Sequence, residues 1–251
     1  MYFNYKKNKI YYEKHGKSKE KLIILPGWGD NRKTFNNIIN KFKNKYEIYI
    51  LDYPSFGLST TIKTNLTIYD YANLIIKLMK IENIEKPTIL GHSFGGRIII
   101  TMSGYYNIEF KKIILIDSAG IKPKKTLLQK IKQLEYKFLK KLNIILPKKH
   151  RKKYLKKLIS IFGSNDYKQL DVNMQKTFIS IVNEDLTKYI KNINEETLII
   201  WGEKDTYTPL NDAIIMNELI KNSGLVTIKN ADHFCYLQYP EYINLILDKF
   251  I

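Results

Sequence analysis

The chain has 251 residues, enough for one large domain or a domain carrying an inserted lobe, and its 44% hydrophobic share excludes disordered and fibrous classes. No apolar run approaches the roughly 20 residues that a bilayer span requires, and the lone Cys235 excludes an internal disulfide. The formal charge of +18 is almost all lysine, with arginine only at Arg32, Arg97 and Arg151; the guanidinium fork that reads bases and phosphates is scarce, so no specific nucleic-acid partner is expected.

In chain order, the N-terminal "MYFNYKKNKIYYEKHG" alternates polar and apolar residues and lacks a continuous apolar segment, so no secretory signal is expected. With a single cysteine, the reducing cytoplasm is the expected compartment. The runs "KIYYEKH", "KLIILP" and "YEIYILD" read as the first strands, and Thr67–Ile81 carries an apolar stripe at helical spacing with Asp70 in its first turn. "PTILGH" and "KKIILID" follow as strands, then "TLIIWG" and "LVTIKN", with helices expected over Arg97–Met102, Pro209–Lys221 and Pro240–Phe250. The continuous runs Leu22–Leu25, Ile113–Ile116 and Leu198–Ile200 suit strands buried on both faces. The pattern is an α/β fold with a mostly parallel central sheet flanked by helices.

The strand–helix rhythm breaks after Gly120. Residues 121–193 hold no convincing central strand and read as helices over Thr126–Leu142, His150–Phe162 and about Met174–Val182. They are expected to form a helical cap inserted into a core made of residues 1–120 and 194–251. This lobe concentrates the lysines. In "LLQKIKQLEYKFLKKL", Leu127, Leu128, Ile131, Leu134, Phe138 and Leu142 form a stripe opposed by Lys130, Lys132, Lys137 and Lys141. Such a helix suits either of two settings: a weak seat on an anionic membrane, or a cap packing its stripe on the core with its lysines in solvent.

The residues with chemical potential cluster at strand ends. Gly91-His92-Ser93-Phe94-Gly95 fits G-x-S-x-G between an apolar strand and a helical pattern, where a sharp turn exposes a serine and glycines make the room it needs. A serine needs a base, and the base an orienting acid. His15 and His150 read as surface residues and His92 points away from its neighbour, whereas His233 follows the last strand at the carboxyl edge that also holds Ser93. Asp205, just past "TLIIWG", is the expected acid. Asp117, ending "KKIILID", is its rival, and Asp52 more naturally organises the following "YPSFGLS" loop. The backbone amides of Phe94 and Trp28, the latter in "PGWGD" where Gly27 permits close approach, are the expected oxyanion donors. Gly27, Trp28, Phe94 and Phe234 are expected to line an apolar substrate pocket. The histidines are scattered, so neither metal nor other cofactor is expected, and Cys235 reads as a packed residue.

Taken together, "LPGWGD", "LDYPSFGLS", "LGHSFGGR", "ILIDSAG", "IIWGEKDTYTP" and "NADHF" resemble the capped α/β-hydrolases that include carboxylesterases and carbon–carbon bond hydrolases, and the likeness covers nearly the whole chain. The resemblance implies a triad of Ser93, Asp205 and His233 and hydrolysis of esters or related small acyl compounds through an acyl-enzyme. Carbon–carbon hydrolysis of a vinylogous diketone acid and monoacylglycerol or lysophospholipid hydrolysis are the alternatives, with a pocket-binding or anionic-surface-binding protein as the non-enzymatic ones. Two features depart from the family. Pro26 stands where the oxyanion loop often carries histidine, and a serine nucleophile disfavours dehalogenases and epoxide hydrolases, which use a carboxylate.

Overall fold

The computed structural model describes residues 1–251 apart from 63, 123–126, 164 and 169. In chain order the elements are β1 (Tyr2–Tyr5), β2 (Asn8–His15), β3 (Lys21–Leu25), α1 (Asn36–Phe42), β4 (Glu47–Leu51), α2 (Ile68–Ile81), β5 (Thr88–His92), α3 (Phe94–Gly104) and β6 (Lys112–Ile116). Five helices follow: α4 (Leu127–Leu142), α5 (Lys148–Phe162), α6 (Asn165–Lys168), α7 (Val172–Asn183) and α8 (Thr187–Ile190). The chain then returns to the sheet with β7 (Thr197–Gly202), α9 (Leu210–Leu219), β8 (Ser223–Ile228), α10 (Cys235–Gln238) and α11 (Pro240–Phe250).

The strands form one sheet in the order β1-β2-β4-β3-β5-β6-β7-β8. β3 to β8 are parallel to one another, while β2 runs antiparallel to both β1 and β4. The apolar runs of β3, β5, β6 and β7 are buried on both sides. Two separate apolar clusters sandwich them: one gathers side chains of α2, α3 and α9, the other those of α1, α10 and α11. The strand β1 was absent from the sequence reading. It pairs with β2 through the two-residue turn Lys6-Lys7, both at positive φ (44° and 64°). That turn geometry favours Asn-Gly, and two lysines carry no such signal.

Local chemistry sets the helix boundaries. Thr67 caps α2 through a reciprocal pair: its hydroxyl accepts from the Asp70 amide, and the Asp70 carboxylate accepts from the Thr67 amide. α3 starts at Phe94, three residues before the expected start, because Gly95 and Gly96 in its first turn weaken the helical signal but are required for space. A Cβ on Gly95 would stand 2.0 Å from the Leu25 carbonyl oxygen, and one on Gly96 would stand 1.8 Å from Ser118 Oγ.

The described residues between β6 and β7 form the helices α4 to α8; the start proposed at Thr126 lies outside the described residues. The segment is tied down at its return, where the Leu186 amide donates to Gly120 O (3.0 Å) and Arg97 donates to Glu184 O (2.8 Å). α4 and α5 pack as a hairpin: the Tyr154 hydroxyl donates to Leu139 O (3.2 Å), and the Tyr136 and Phe162 rings lie 5.8 Å apart. Of the expected stripe, Leu142 is half-buried and Leu128 exposed, and Leu127, Ile131, Leu134 and Phe138 do not pack on the core. These last four side chains face solvent, because the hairpin contact uses the other side of α4.

Candidate active site

β5 delivers its chain end into a sharp turn. Ser93, between β5 and α3, has φ 49° and ψ −108°, a conformation that an L-residue holds only when its surroundings impose it. Its amide donates to Ile116 O (3.0 Å), and Gly91 lies so close to α3 that a Cβ would meet the Gly95 backbone at 2.6 Å. These contacts lock the turn and lift the Ser93 side chain to the carboxyl edge of the sheet.

The loops after β7 and β8 reach the same edge. His233 Nε2 lies 2.9 Å from Ser93 Oγ, and His233 Nδ1 lies 2.7 Å from Asp205 Oδ2. With Nδ1–H donating to the carboxylate, Nε2 is left to accept the serine proton. Asp205 is held in turn: its Oδ1 accepts the amides of Tyr207 (2.7 Å) and Thr208 (3.0 Å), and its Oδ2 accepts the Thr208 hydroxyl (2.6 Å). Burial pulls the Asp205 carboxyl upward, but the hydrogen bonds from His233 and Thr208 outweigh it and hold the group below its ordinary range.

Asp117 ends the neighbouring strand and sits in a different environment. It is fully buried, at φ 44°, with Oδ1 accepting the Gly202 amide (2.7 Å). Burial pushes its pKa up to about 6, with the Asp205 charge adding to the rise and the Cys235 thiol and Gly202 amide opposing it. No hydrogen bond joins Asp117 to His233 among the described residues. Cys235 is buried against Asp117, and burial pushes its thiol far up, away from thiolate chemistry.

Asp52, as expected, organises its loop, accepting from the Leu58 amide (2.9 Å) and from Arg32 (2.7 Å).

The glycine loop after β3 passes directly over the serine. A Cβ on Gly27 would lie 3.6 Å from Ser93 Cβ and 2.8 Å from His92 Nδ1, so only glycine fits without displacing the histidine. Among the described residues neither the Trp28 nor the Phe94 amide has an acceptor within the chain. The Trp28 ring packs edge-on against Phe56 and Phe94 and lies 5.4 Å from Phe178 of α7. Phe94 is 3% exposed, closed in by Tyr53, Tyr71 and Trp28, whereas Phe234 is 38% exposed beside His233. Two clefts of about 360 Å³ lie away from this edge, one at Ser103 and Glu195 and one at Ile76 and Ile108.

His92 does turn away from the serine, but it was not foreseen where it goes. Its Nε2–H donates to the His233 carbonyl oxygen (2.8 Å), and its Nδ1 faces Asp30 Oδ2 at 3.7 Å. Asp30 also accepts the Tyr236 hydroxyl (2.8 Å). The backbone of His233 is thus held by the buried His92 ring, a contact for which adjacency in the sequence carries no signal. Thr208 was equally unannounced, although a threonine three residues after an aspartate is a local hydrogen-bonding pattern that a search for such turns would find. His15 pairs with Glu13 in β2, and His150 is exposed at the start of α5. Among the described residues no group of His, Cys, Asp or Glu is arranged to hold a metal ion.

The sequence matches the model of the alpha/beta hydrolase fold family over residues 21–157, and the chain belongs to that family. The match and the sheet with its flanking helices define a hydrolase. A pimeloyl-[acyl-carrier protein] methyl ester esterase from Wigglesworthia glossinidia brevipalpis is 28% identical over 94% of this chain and 95% of its own. A 2-hydroxy-6-oxononadienedioate/2-hydroxy-6-oxononatrienedioate hydrolase from Pseudomonas putida is 24% identical over 95% of this chain and 90% of its own. Among solved structures, Est816, described as an N-acyl homoserine lactone degrading enzyme, aligns with a TM-score of 0.79 over 100% of both chains at 15% identity, a likeness of fold.

Proposed function

We propose that the protein is a serine hydrolase of esters, a carboxylesterase acting through an acyl-enzyme. The observation that carries this reading is the continuous hydrogen-bonded line from Ser93 Oγ through His233 to Asp205, with the serine held on a strained turn. In the forward step Ser93 Oγ attacks the ester carbonyl carbon as its proton passes to His233 Nε2. Asp205 keeps the imidazole in the required tautomer and stabilises the imidazolium. The Trp28 and Phe94 amides, free of other acceptors among the described residues, take the oxyanion. The tetrahedral adduct collapses as His233 returns the proton to the departing alcohol. Water then attacks the acyl-enzyme with His233 again as base, releasing the acid and restoring Ser93.

The helices of residues 121–193 act in this reading as a roof that selects the acyl part. The Trp28–Phe178 contact and the Leu66 amide's bond to Thr177 Oγ1 (3.0 Å), which join α7 to the loops around the serine, support that role. The pimeloyl-[acyl-carrier protein] methyl ester esterase relative supports a carboxylic ester as substrate, and the single cysteine supports a cytoplasmic setting.

Carbon–carbon hydrolysis, favoured by the Pseudomonas putida relative, needs a cation for the substrate carboxylate. Arg97, buried in α3, already lies in the field of Asp185, Glu184 and Asp212 and donates to Glu184 O, so its charge is spoken for. The test is a series of nitrophenyl esters of graded chain length with Ser93→Ala as control. Hydrolysis by the wild type, lost in a variant that melts normally, is expected. A Ser93→Ala variant with unchanged activity would refute the reading, and inactivity of the wild type on every ester would shift it to carbon–carbon hydrolysis.

A further inference from the structure

The solvent-facing ridge on α4 is an anomaly that the active site does not use. Leu127, Ile131, Leu134 and Phe138, spaced four, three and four residues apart, share one face of the helix, and Leu127 and Phe138 are 74% and 64% exposed. Ile144 and Ile145 extend the apolar surface into the hairpin connection. Around it the charge is one-sided. From Leu127 to Phe162 the sequence has twelve lysines and arginines against one acid, Glu135, and Lys132, Lys137 and Lys141 project into solvent from α4 itself.

We propose that the α4–α5 hairpin docks on an anionic phospholipid surface, with the ridge entering the headgroup boundary and the lysines meeting the lipid phosphates. This follows from the pairing of apolar ridge and flanking cations, the combination that an interfacial helix requires. A second copy of the chain would set two strongly cationic hairpins face to face. A nucleic acid offers nothing for exposed leucine and phenylalanine side chains, and the one arginine in the hairpin, Arg151, is occupied with the Ile144 and Leu146 carbonyls. The inference stands independently of the ester reading, since it concerns a face, not the chemistry at Ser93.

The test is sedimentation of the full chain with phosphatidylcholine vesicles made with or without phosphatidylglycerol, at low and high salt. Both the wild type and Ser93→Ala are expected to sediment with the anionic vesicles only, and less so as salt screens the lysines. Lys137→Gln with Lys141→Gln should weaken partitioning roughly 25-fold, about fivefold per lysine. Leu134→Asp with Phe138→Asp should weaken it more than tenfold, with circular dichroism and melting unchanged because both positions are exposed. Failure to bind at low salt would overturn the proposal, as would binding that ignores the ridge substitutions. So would a dimer in solution that those substitutions convert to monomer without any vesicle binding.

Discussion

Two carboxylates follow adjacent strands at the carboxyl edge of the sheet, and exchanging each for its amide separates their roles. Asp117 is buried, with a pKa pushed from the ordinary 3.8 up to about 6. Its folded form therefore holds a proton more tightly than the unfolded chain does. Stability is lost as pH rises from about 4 through about 6, and the whole cost is present above that. A difference of about 2 units corresponds to roughly 3 kcal/mol at neutral pH and above. Asp117→Asn keeps an oxygen for the Gly202 amide and removes that ionisation cost. Urea unfolding of the variant should show a gain of up to about 3 kcal/mol near pH 8 that shrinks toward zero near pH 4, with kcat/KM on a nitrophenyl ester changed by less than about threefold. Asp205→Asn should instead lower kcat by about 10⁴ through the wrong imidazole tautomer. Retained activity in Asp205→Asn with loss in Asp117→Asn would reverse the assignment of the acid. A pH-independent destabilisation by Asp117→Asn would refute the argument that the buried carboxyl is strained by its own ionisation.

Three further outcomes follow from contacts around the site and core. Asp205 has the opposite sign: its pKa is held down, so its contribution is present above the ordinary 3.8 and lost as pH falls through the folded value. Thr208→Val, which removes the hydroxyl from Asp205 Oδ2, should cost about 2 kcal/mol at neutral pH by urea unfolding, with a smaller gap once the carboxyl is protonated. Gly95→Ala forces a Cβ against the Leu25 carbonyl, where neither backbone can yield; a loss of about 3 kcal/mol or failure to fold is expected, and a wild-type melting temperature would contradict it. Thr67→Ala breaks the cap of α2 and should cost about 1 kcal/mol in thermal unfolding without altering ester turnover.

The central parallel strands β3, β5, β6 and β7 were legible because each is a short apolar run buried on both faces, and the candidate site because its three residues each follow a strand at the carboxyl edge. What stayed hidden depends on geometry that a linear pattern does not encode. The Lys6-Lys7 turn adopts a glycine-like backbone without glycine, so β1 left no mark. α1 is only seven residues long, too short for a persistent stripe. Spacing showed that Leu127, Ile131, Leu134 and Phe138 share a face, but periodicity is indifferent to whether that face meets a core or water. His92 shows the same limit in miniature: its place beside Ser93 was plain, while its bond to the His233 carbonyl depends on a contact across 141 positions of sequence.

The helical segment between β6 and β7 has an evolutionary consequence. These two strands pair in register from Ile113↔Thr197 to Ile116↔Ile200 with α4 to α8 between them. Closing a loop grows costlier only slowly with length, about 0.6 kcal/mol per doubling. Helices can therefore be lengthened or trimmed there without unpairing the two strands, provided that the core contacts of Met174, Ile181, Leu186 and Ile190 are kept. A lineage can in this way remodel the surface that the segment presents while the sheet beneath it is kept.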